Sequence, residues 1–268
     1  MFNLAWSFFK RDATIEMSYK ISFCFQLIGN FILLIIFYYI GKLTVGNNIP
    51  ALAKYGGNYL AFLLIGVALT ECVGVSLTTF AKQIREGQLT GSLELTLLSP
   101  ISLSWILIYS ALWPYFISSI RFLIYLILGM VFYKVGFSEA NISAALLIFL
   151  LVVLSFAGLG MCWASLVLII KRGEGILALM SYGFIIVSGV LFPATLLPQW
   201  TQNIAAWIPL TYGVEGMRLA LLQGHTISQQ IGLVSLLFYF SVVLLGAGLV
   251  SFYHAVLMAK HSGSLSQY

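Results

Sequence analysis

The chain has 268 residues, of which 61% are hydrophobic and only 8% are charged, and its mean hydropathy is +1.02. Soluble domains carry about 25% charged residues, so this composition excludes an ordinary soluble protein. The long, unbroken apolar segments favour helices over a membrane barrel. The net charge of +5 is dispersed and forms no basic cluster that would indicate nucleic-acid binding. The sequence therefore predicts an all-α integral membrane protein.

Residues 1–20 predict an amphipathic helix. Phe2, Trp6, Phe9, Ala13 and Met17 form an apolar stripe, and polar residues recur at helical spacing on another face. A helix of this kind lies in the headgroup plane and does not cross the membrane. The alternative, a soluble leader on the cytoplasmic side, would leave the aromatic side chains exposed. We therefore expect an interfacial helix.

Six apolar segments are predicted as transmembrane helices: 21–41, 59–80, 101–133, 142–170, 176–192 and 231–258. Cytoplasmic flanks of spans carry an excess of Lys and Arg. One set of flanks holds Lys10, Arg11, Lys20, Lys82, Arg85, Lys171, Arg172 and Lys260. The opposite set holds only Lys42, Lys54, Lys134 and Arg218. Both termini are therefore predicted to be cytoplasmic, and the segment 193–224 is predicted to lie on the outer side.

Glu71 and Arg121 are two ionisable residues inside predicted spans. Each stands about 12 residues, or roughly 18 Å, from the outer end of its span. An unpaired charge at mid-depth costs roughly 2.5–3.5 kcal/mol on insertion scales. We expect the two side chains to pair or to line one polar cavity, either as a structural ion pair or in contact with a substrate path.

The segment 81–100 predicts a short amphipathic helix on the cytoplasmic side, between the second and third spans. It offers leucines at helical spacing, with charged residues beside them: Arg85, Glu86, Leu89, Leu93, Glu94 and Leu97. Such a helix can bind in a groove of a soluble partner and convey movement to the spans.

The segment 193–224 is too apolar for an ordinary loop and too broken for a span. Pro193, Pro198 and Pro209 each lack an N–H group and disrupt the preceding turn. We expect short re-entrant helices that dip into the outer side of the membrane, where surrounding protein covers their backbone. Glu215 and Arg218 are three residues apart and can share a helical face, either as surface caps or as part of an outer gate.

Aromatic residues cluster in the third predicted span, at Trp105, Tyr109, Trp113 and Phe116. Their rings could stack on a sugar or on a planar drug, which makes them candidates for a substrate path. Aromatic residues also serve as interfacial anchors and as packing between spans, and the sequence leaves both alternatives open.

Two runs of residues carry a family resemblance. Gly91-Ser92-Leu93-Glu94-Leu95-Thr96-Leu97-Leu98-Ser99-Pro100 is similar to the run that begins at the glycine of the pattern R-x-G-T-L-E-x-L-L-x-[ST]-P. Phe192-Pro193, Leu197-Pro198, Trp200, Pro209, Thr211-Tyr212, Glu215 and Arg218 follow the pattern F-P-x-x-x-L-P-x-W…P-x-T-Y-x-x-[DE]-x-x-R. Over nearly its whole length the chain thus resembles permease subunits of ABC exporters of type 2 (ABC-2). Arg85-Glu86-Gly87 stands further upstream than in the family pattern, so the register of the coupling helix stays open.

The resemblance implies one ABC type-2 transmembrane domain over residues 1–268 and a second permease, either an identical copy or a homologue, with a homodimer as the expectation. A separate ABC ATP-binding subunit would be recruited through the 81–100 helix, with help from Lys171, Arg172 and the N-terminal helix. ATP and Mg would be held by that partner, with no cofactor, metal or catalytic site in this chain. The outer gate would comprise Phe192, Pro193, Pro198, Trp200, Tyr212, Glu215 and Arg218.

The resemblance also implies outward movement of an amphipathic substrate: a lipid-linked polysaccharide, a glycolipid or a hydrophobic drug. The location would be the plasma (inner) membrane of a prokaryote. The sequence has no G-x-x-x-x-G-K-[ST] motif, which agrees with a separate ATPase. The alternative is an ion-gradient-driven carrier or channel, although such proteins usually show interrupted helices in both halves. An embedded enzyme is disfavoured, because His225, His254 and His261 show no metal-ligand spacing.

Overall fold

The computed structural model describes residues 2–18, 50–55, 57–91, 102–133, 135–170 and 174–261, together with a few single positions between 25 and 39. The described residues are helical, apart from turns and short connections, and no strand occurs among them. The α-helices are α1 (Phe2–Ser18), α2 (Tyr59–Leu89), α3 (Leu103–Tyr133), α4 (Ile142–Ile170), α5 (Glu174–Val187), α6 (Gln199–Ala205), α7 (Pro209–Leu222) and α8 (Ile231–His261). Short 3₁₀ helices cover Pro50–Tyr55 and Ala194–Leu196.

Four described helices, α2, α3, α4 and α8, are long and apolar enough to cross a membrane. They correspond to four of the predicted spans, and α4 has the predicted bounds. The predicted first span, 21–41, lies almost entirely outside the described residues. The predicted fifth span, 176–192, is occupied by α5, whose 14 residues extend about 21 Å, less than the ~30 Å hydrocarbon core. Six transmembrane helices therefore remain a prediction.

The end of α5 has a local cause. The helix stops at Val187, and the chain turns through Gly189, whose φ of 74° lies in the left-handed region. The helix thus ends five residues before the predicted end of the span at Phe192. Because the residues after the turn are still apolar, the sequence pattern placed the end of the span too late, at Phe192.

Helix α2 extends further than the sequence predicts. The Asn58 side chain caps its start by accepting from the backbone N–H groups of Leu60 and Ala61. The helix then continues without a break through Leu89, nine residues beyond the predicted end at Phe80, and stops before Gly91, whose φ is 67°. Residues 81–89 are mostly good helix formers. The first half of the predicted coupling helix is therefore a continuation of α2, not a separate element.

Helix α4 lies between α2 and α8, and glycines allow the close approach on both sides. A Cβ atom on Gly158 would overlap the backbone of Leu244 in α8, and one on Gly160 would overlap the Ser76 carbonyl in α2. Small residues at such crossings let the backbones of membrane helices approach closely, and van der Waals packing then holds them together. This three-helix contact is the centre of the fold.

Two apolar clusters surround this contact. One includes Leu69, Ile148 and Val214 and joins α2, α4 and α7. The other includes Phe80 and Phe252 and joins α2, α3, α4 and α8 near the opposite ends of the long helices. The first cluster supports the segment that follows α5, where the candidate outer gate lies.

Helix α1 forms as predicted and packs along α3. Phe8 lies 6.1 Å from the Tyr109 ring centroid, and Phe9 lies 5.1 Å from Trp113 and 5.4 Å from Phe116. Glu16, about two turns further along α1, lies 3.8 Å from Arg121 of α3, so α1 contacts α3 over about two turns. The placement of α1 in the headgroup plane remains a prediction.

The segment 193–224 has the broken form that its prolines predict. Pro198 is the N-cap residue of α6, and Pro209 occupies the first turn of α7, where its missing N–H group costs nothing. Pro193 precedes the 3₁₀ helix Ala194–Leu196. The short helices are therefore present, and their depth in a membrane remains a prediction.

The close packing of α4 on α8 can be tested with a matched pair of glycine substitutions. Gly158→Val should lower the apparent melting temperature of the detergent-purified protein, because the new side chain must push two backbones apart, at a cost of about 1–3 kcal/mol. Gly246→Val in α8 is the control, because no described residue lies within 4 Å of a Cβ atom at that position. Equal melting temperatures for the two variants would contradict the described packing.

Candidate functional site

Glu71 in α2 and Arg121 in α3 are brought together by the structure. Arg121 Nη1 donates to Glu71 Oε1 over 3.1 Å, and the side chains are 13% exposed for Arg121 and 30% exposed for Glu71. Both residues stand about 12 residues from the outer end of their predicted spans, so adjacent antiparallel helices place them at the same depth. The pairing could therefore be predicted from the sequence. The pair links the middle of α2 to the middle of α3.

A second carboxylate reaches the same guanidinium. Glu16 Oε1 in α1 lies 3.8 Å from Arg121 Nη2, and Trp113 Nε1 donates to Glu16 Oε2. Glu16 belongs to no motif that assigns it a role, although an acid near the end of an amphipathic helix was an available signal. Glu16, Glu71 and Arg121 form what we name the charged cluster, which joins α1, α2 and α3.

The aromatic candidates of α3 contact the protein's own rings. Trp105 stacks on Tyr109 with centroids 5.7 Å apart, and Trp113 lies 6.0 Å from Phe116. Tyr109 and Trp113 are buried, whereas Trp105 and Phe116 remain about half exposed. Packing therefore accounts for Tyr109 and Trp113. Substrate contact remains a prediction, and Trp105 and Phe116 are the two rings of this group that a substrate could reach.

Arg218 in α7 is the most deeply buried charged side chain among the described residues, at 2% exposure. Its Nε donates to the Phe62 carbonyl over 3.0 Å, Nη1 to the Gly189 carbonyl over 2.9 Å, and Nη2 to the Val190 carbonyl over 2.8 Å. The guanidinium carbon also lies 3.3 Å from the Phe62 ring centroid. Arg218 thus fastens α7 to α2 and to the turn after α5.

The space for this guanidinium depends on Gly66 in α2. A Cβ atom at that position would lie 2.7 Å from Arg218 Nη2 and 2.8 Å from the Val190 carbonyl oxygen. Burial lowers the pKa of Arg218 to about 9, so the side chain still carries its charge at neutral pH. A charge in this position is stabilised by carbonyl dipoles and by a ring face rather than by a carboxylate.

Glu215 and Arg218 both lie on α7 but have different partners, and Arg218 is buried rather than a surface cap. Glu215 forms an ion pair with Lys54 of the 3₁₀ helix Pro50–Tyr55, and the hydrogen bond from Lys54 to Glu215 raises the pKa of the lysine. The spacing of three residues put Glu215 and Arg218 near one another on α7, but the buried carbonyls after α5 compete for the arginine. The two residues hold different neighbours against α7.

The remaining outer-gate candidates occupy different environments. Tyr212 Oη donates to the Ala206 carbonyl over 2.9 Å and so braces the turn between α6 and α7. Pro193 is buried and Phe192 is half-buried, while Trp200 is 66% exposed. All of these residues, with Arg218 and Glu215, lie in the segment Phe192–Gln223, which we name the outer cap. Gating by the outer cap remains a prediction.

The coupling candidates are described only in part. Arg85, Glu86 and Leu89 lie on the last two turns of α2, and Leu89 is exposed. Leu93, Glu94, Leu97, Lys171 and Arg172 lie outside the described residues. Among the described residues, no group of three or more His, Cys, Asp or Glu side chains is arranged to hold a metal ion.

The role of Arg218 can be tested by a change that keeps the charge. Arg218→Lys should lower the apparent melting temperature, because one ammonium group cannot reach three diverging carbonyls and leaves buried acceptors unsatisfied, at about 1–3 kcal/mol each. Lys54→Met is the control, since a partly exposed ion pair contributes only about 0–1 kcal/mol. A lysine variant as stable as the wild type would contradict the three hydrogen bonds described for Arg218.

The charged cluster makes a specific prediction for charge reversal. Glu71→Arg combined with Arg121→Glu should recover only part of the stability that either single change removes, because the new carboxylate at position 121 faces Glu16. Adding Glu16→Gln should recover more, and thermal unfolding of the four variants measures both steps. A loss of stability on adding Glu16→Gln would show that the cluster does not have the described arrangement.

Comparison with known proteins gives one family match. The model of a family described as ABC-2 family transporter protein matches residues 42–250, which is most of the chain. The match includes both the charged cluster's residues in α2 and α3 and the whole outer cap. No curated protein matches the chain.

Proposed function

Because this chain belongs to the ABC-2 family of transporter proteins, we propose that it is the membrane permease subunit of an ATP-driven exporter. The observation that carries the proposal is the family match over residues 42–250, in a chain whose described part includes four helices able to cross a membrane. The chain is thus a multi-pass membrane protein of a transport family. Its energy source, substrate and direction are the content of the proposal.

The energy would come from a separate ATP-binding subunit that binds ATP and Mg. The sequence has no G-x-x-x-x-G-K-[ST] motif, and α2 extends past its predicted span to present Arg85, Glu86 and Leu89 at its end. A rigid helix that continues from the membrane into the cytoplasm transmits a displacement at its tip directly to the span. Residues 91–100 and the 171–173 connection would complete the contact.

The transport path would be formed by two copies of the chain in the inner membrane of a prokaryote, with both termini cytoplasmic. Outward movement is supported by the asymmetry of the chain, which has a coupling segment at one end of α2 and the outer cap at the other. The outer cap is held by Arg218 and by the Lys54–Glu215 pair. A gate on that side would open when α7 moves relative to α2.

The substrate would be amphipathic: a lipid-linked polysaccharide, a glycolipid or a hydrophobic drug. Trp105 and Phe116 offer accessible rings on α3, and the charged cluster offers polar groups in the same helix pair. This combination supports a substrate that has both an apolar and a polar part.

A second candidate function is an ion-gradient-driven carrier or channel. The observation in its favour is the charged cluster, because ionisable residues inside membrane spans often mark ion pathways. The interrupted segment between α5 and α8 has no counterpart among the described residues of the first half, which is unlike the paired broken helices of such carriers.

The proposal is tested at the coupling segment. Leu93→Asp with Leu97→Asp should abolish co-purification of an ATP-binding subunit and the transport that depends on it, because two charges disrupt an apolar docking face. Ser138→Asp, an added charge in the exposed turn between α3 and α4, should leave both properties unchanged.

A tagged wild-type chain should carry an ATP-binding subunit when it is purified in mild detergent. If it carries none, and if the double aspartate variant still transports, the exporter proposal is wrong. Transport that stops on collapse of the proton or sodium gradient, and not on removal of ATP, would favour the carrier.

A further inference from the structure

One face of α2 changes character halfway along the helix. At 100° per residue, Glu71, Gly74, Val75, Thr78 and Lys82 fall within one sector of the helix surface. All five positions are exposed or half-buried, whereas their neighbours Cys72, Val73, Ser76, Leu77, Thr79, Phe80 and Ala81 are buried. We name these five positions the open face of α2. Four of its members are polar or glycine, within a helix that is otherwise apolar enough to span a membrane.

The same sector is closed in the outer half of the helix. Leu64, Val67 and Ala68 continue the open face beyond Glu71, and all three are buried. Between Ala61 and Leu69 every residue of α2 is buried. The accessible strip therefore begins at Glu71 and continues toward Lys82, about 16 Å along the helix axis.

The crossing of α3 over α2 explains why the cover ends there. Toward the outer end, the Leu64 side chain sits against Gly129 of α3, and Glu71 pairs with Arg121. Further inward α3 contacts the other side of α2, where the Cys72 thiol donates to the Ser118 carbonyl and the Phe80 ring packs against Tyr115. Because α3 crosses to the other side of α2, it does not cover the open face, and a groove lies beside that face.

Polar groups at this depth do not face lipid. Side chains such as Glu71 within a span almost always face a protein interior or a water-filled cavity, because hydrocarbon offers them no partner. Independent support comes from Gly74, where no described residue lies within 4 Å of an ideal Cβ atom. The described residues leave space beside Gly74, and exposed polar side chains next to such a space indicate a water-filled groove that opens toward the coupling end of α2.

The groove presents donors and acceptors together. The Glu71 carboxylate is partly exposed and has acceptor sites beyond its bond to Arg121. The Thr78 hydroxyl donates to the Gly74 carbonyl, which leaves its oxygen able to accept, and Lys82 donates at the mouth. Because the charges at the closed end are already paired, the groove suits a neutral group with several hydroxyls rather than a single ion.

We propose that this groove binds the hydroxyl-rich headgroup, such as a sugar, of the transported molecule before it crosses, while the apolar part stays in the inner leaflet. The inference deepens the proposed function and rests on it for the identity of the bound molecule. The groove itself is a property of this chain alone, so its existence is testable without an ATP-binding subunit.

The first experiment measures access of water to the groove. In a background with Cys24, Cys72 and Cys162 replaced by alanine, Gly74→Cys and Thr78→Cys are compared with the matched control Ala68→Cys in nanodiscs. A charged, water-soluble thiol reagent should modify the first two at least about tenfold faster than the third, because a thiol must ionise and meet the reagent to react. Equal, slow modification of all three would overturn the groove.

The second experiment identifies the chemistry that the groove accepts, using amphiphiles with one alkyl chain and different headgroups. Dodecyl maltoside should slow modification of Gly74→Cys about tenfold, whereas dodecanol and dodecyltrimethylammonium should not. Glu71→Gln should weaken this protection, and Glu86→Gln, beyond the groove mouth on α2, should leave it intact. Equal protection by all three amphiphiles would overturn a headgroup site, and protection by the ammonium compound alone would overturn the preference for hydroxyls.

The outcomes separate this inference from the proposed function. Rapid modification with selective protection supports the groove even where no ATP-binding subunit co-purifies. Conversely, a chain that co-purifies with such a subunit but shields Gly74→Cys from the aqueous reagent retains the proposed function and loses the groove. Gly74→Trp provides a check on transport, since the open space admits the ring and a filled groove should reduce transport severalfold without loss of folding.

Discussion

Polar groups that the chain carries into its apolar interior need partners inside the protein, because neither lipid nor a packed core supplies them. Arg218 is the most demanding case. Its guanidinium donates to three backbone carbonyls from two different parts of the chain. The Gly189 and Val190 carbonyls lie outside a helix because α5 ends at Val187, and Gly66 leaves room for the guanidinium beside α2. The position of the whole outer cap follows from where one buried cation can find enough acceptors.

Close helix packing fixes the centre of the fold, whereas the crossing of α3 over α2 leaves one face of α2 uncovered. Glycines at the contacts of α4 with α2 and α8 let the backbones approach until their atoms are in van der Waals contact, which fixes the centre of the fold. Because helix α3 crosses α2 at an angle, it cannot cover the same face along the full length of that helix. The resulting groove is a consequence of two long helices that cross, and polar residues of α2 occur where α3 no longer covers them.

The charged cluster connects these two features. Arg121 lies where α3 still covers α2, so its pair with Glu71 marks the boundary between the sealed outer half and the accessible inner half. Glu16 brings α1 to the same point. A displacement of α1 or of the inner end of α2 therefore acts on the residues that close the groove, which places the coupling end and the closed end of the groove on one continuous helix.

Composition and pattern by themselves determined that the chain is a helical membrane protein, that its C-terminal half contains a proline-broken segment, and that Glu71 and Arg121 stand at equal depth. The family motifs could also be found in the sequence, because they consist of rare residues at fixed spacing in short runs. Periodicity could not find the end of α5 or the continuation of α2, because apolar and helix-forming residues continue past one boundary and across the other. Only the tertiary structure decided that Arg218 binds carbonyls and Glu215 binds Lys54, that Glu16 joins the charged cluster, and that one face of α2 is left open. These features depend on contacts between residues far apart in the chain and on how two helices cross. Local sequence patterns contain no information about either.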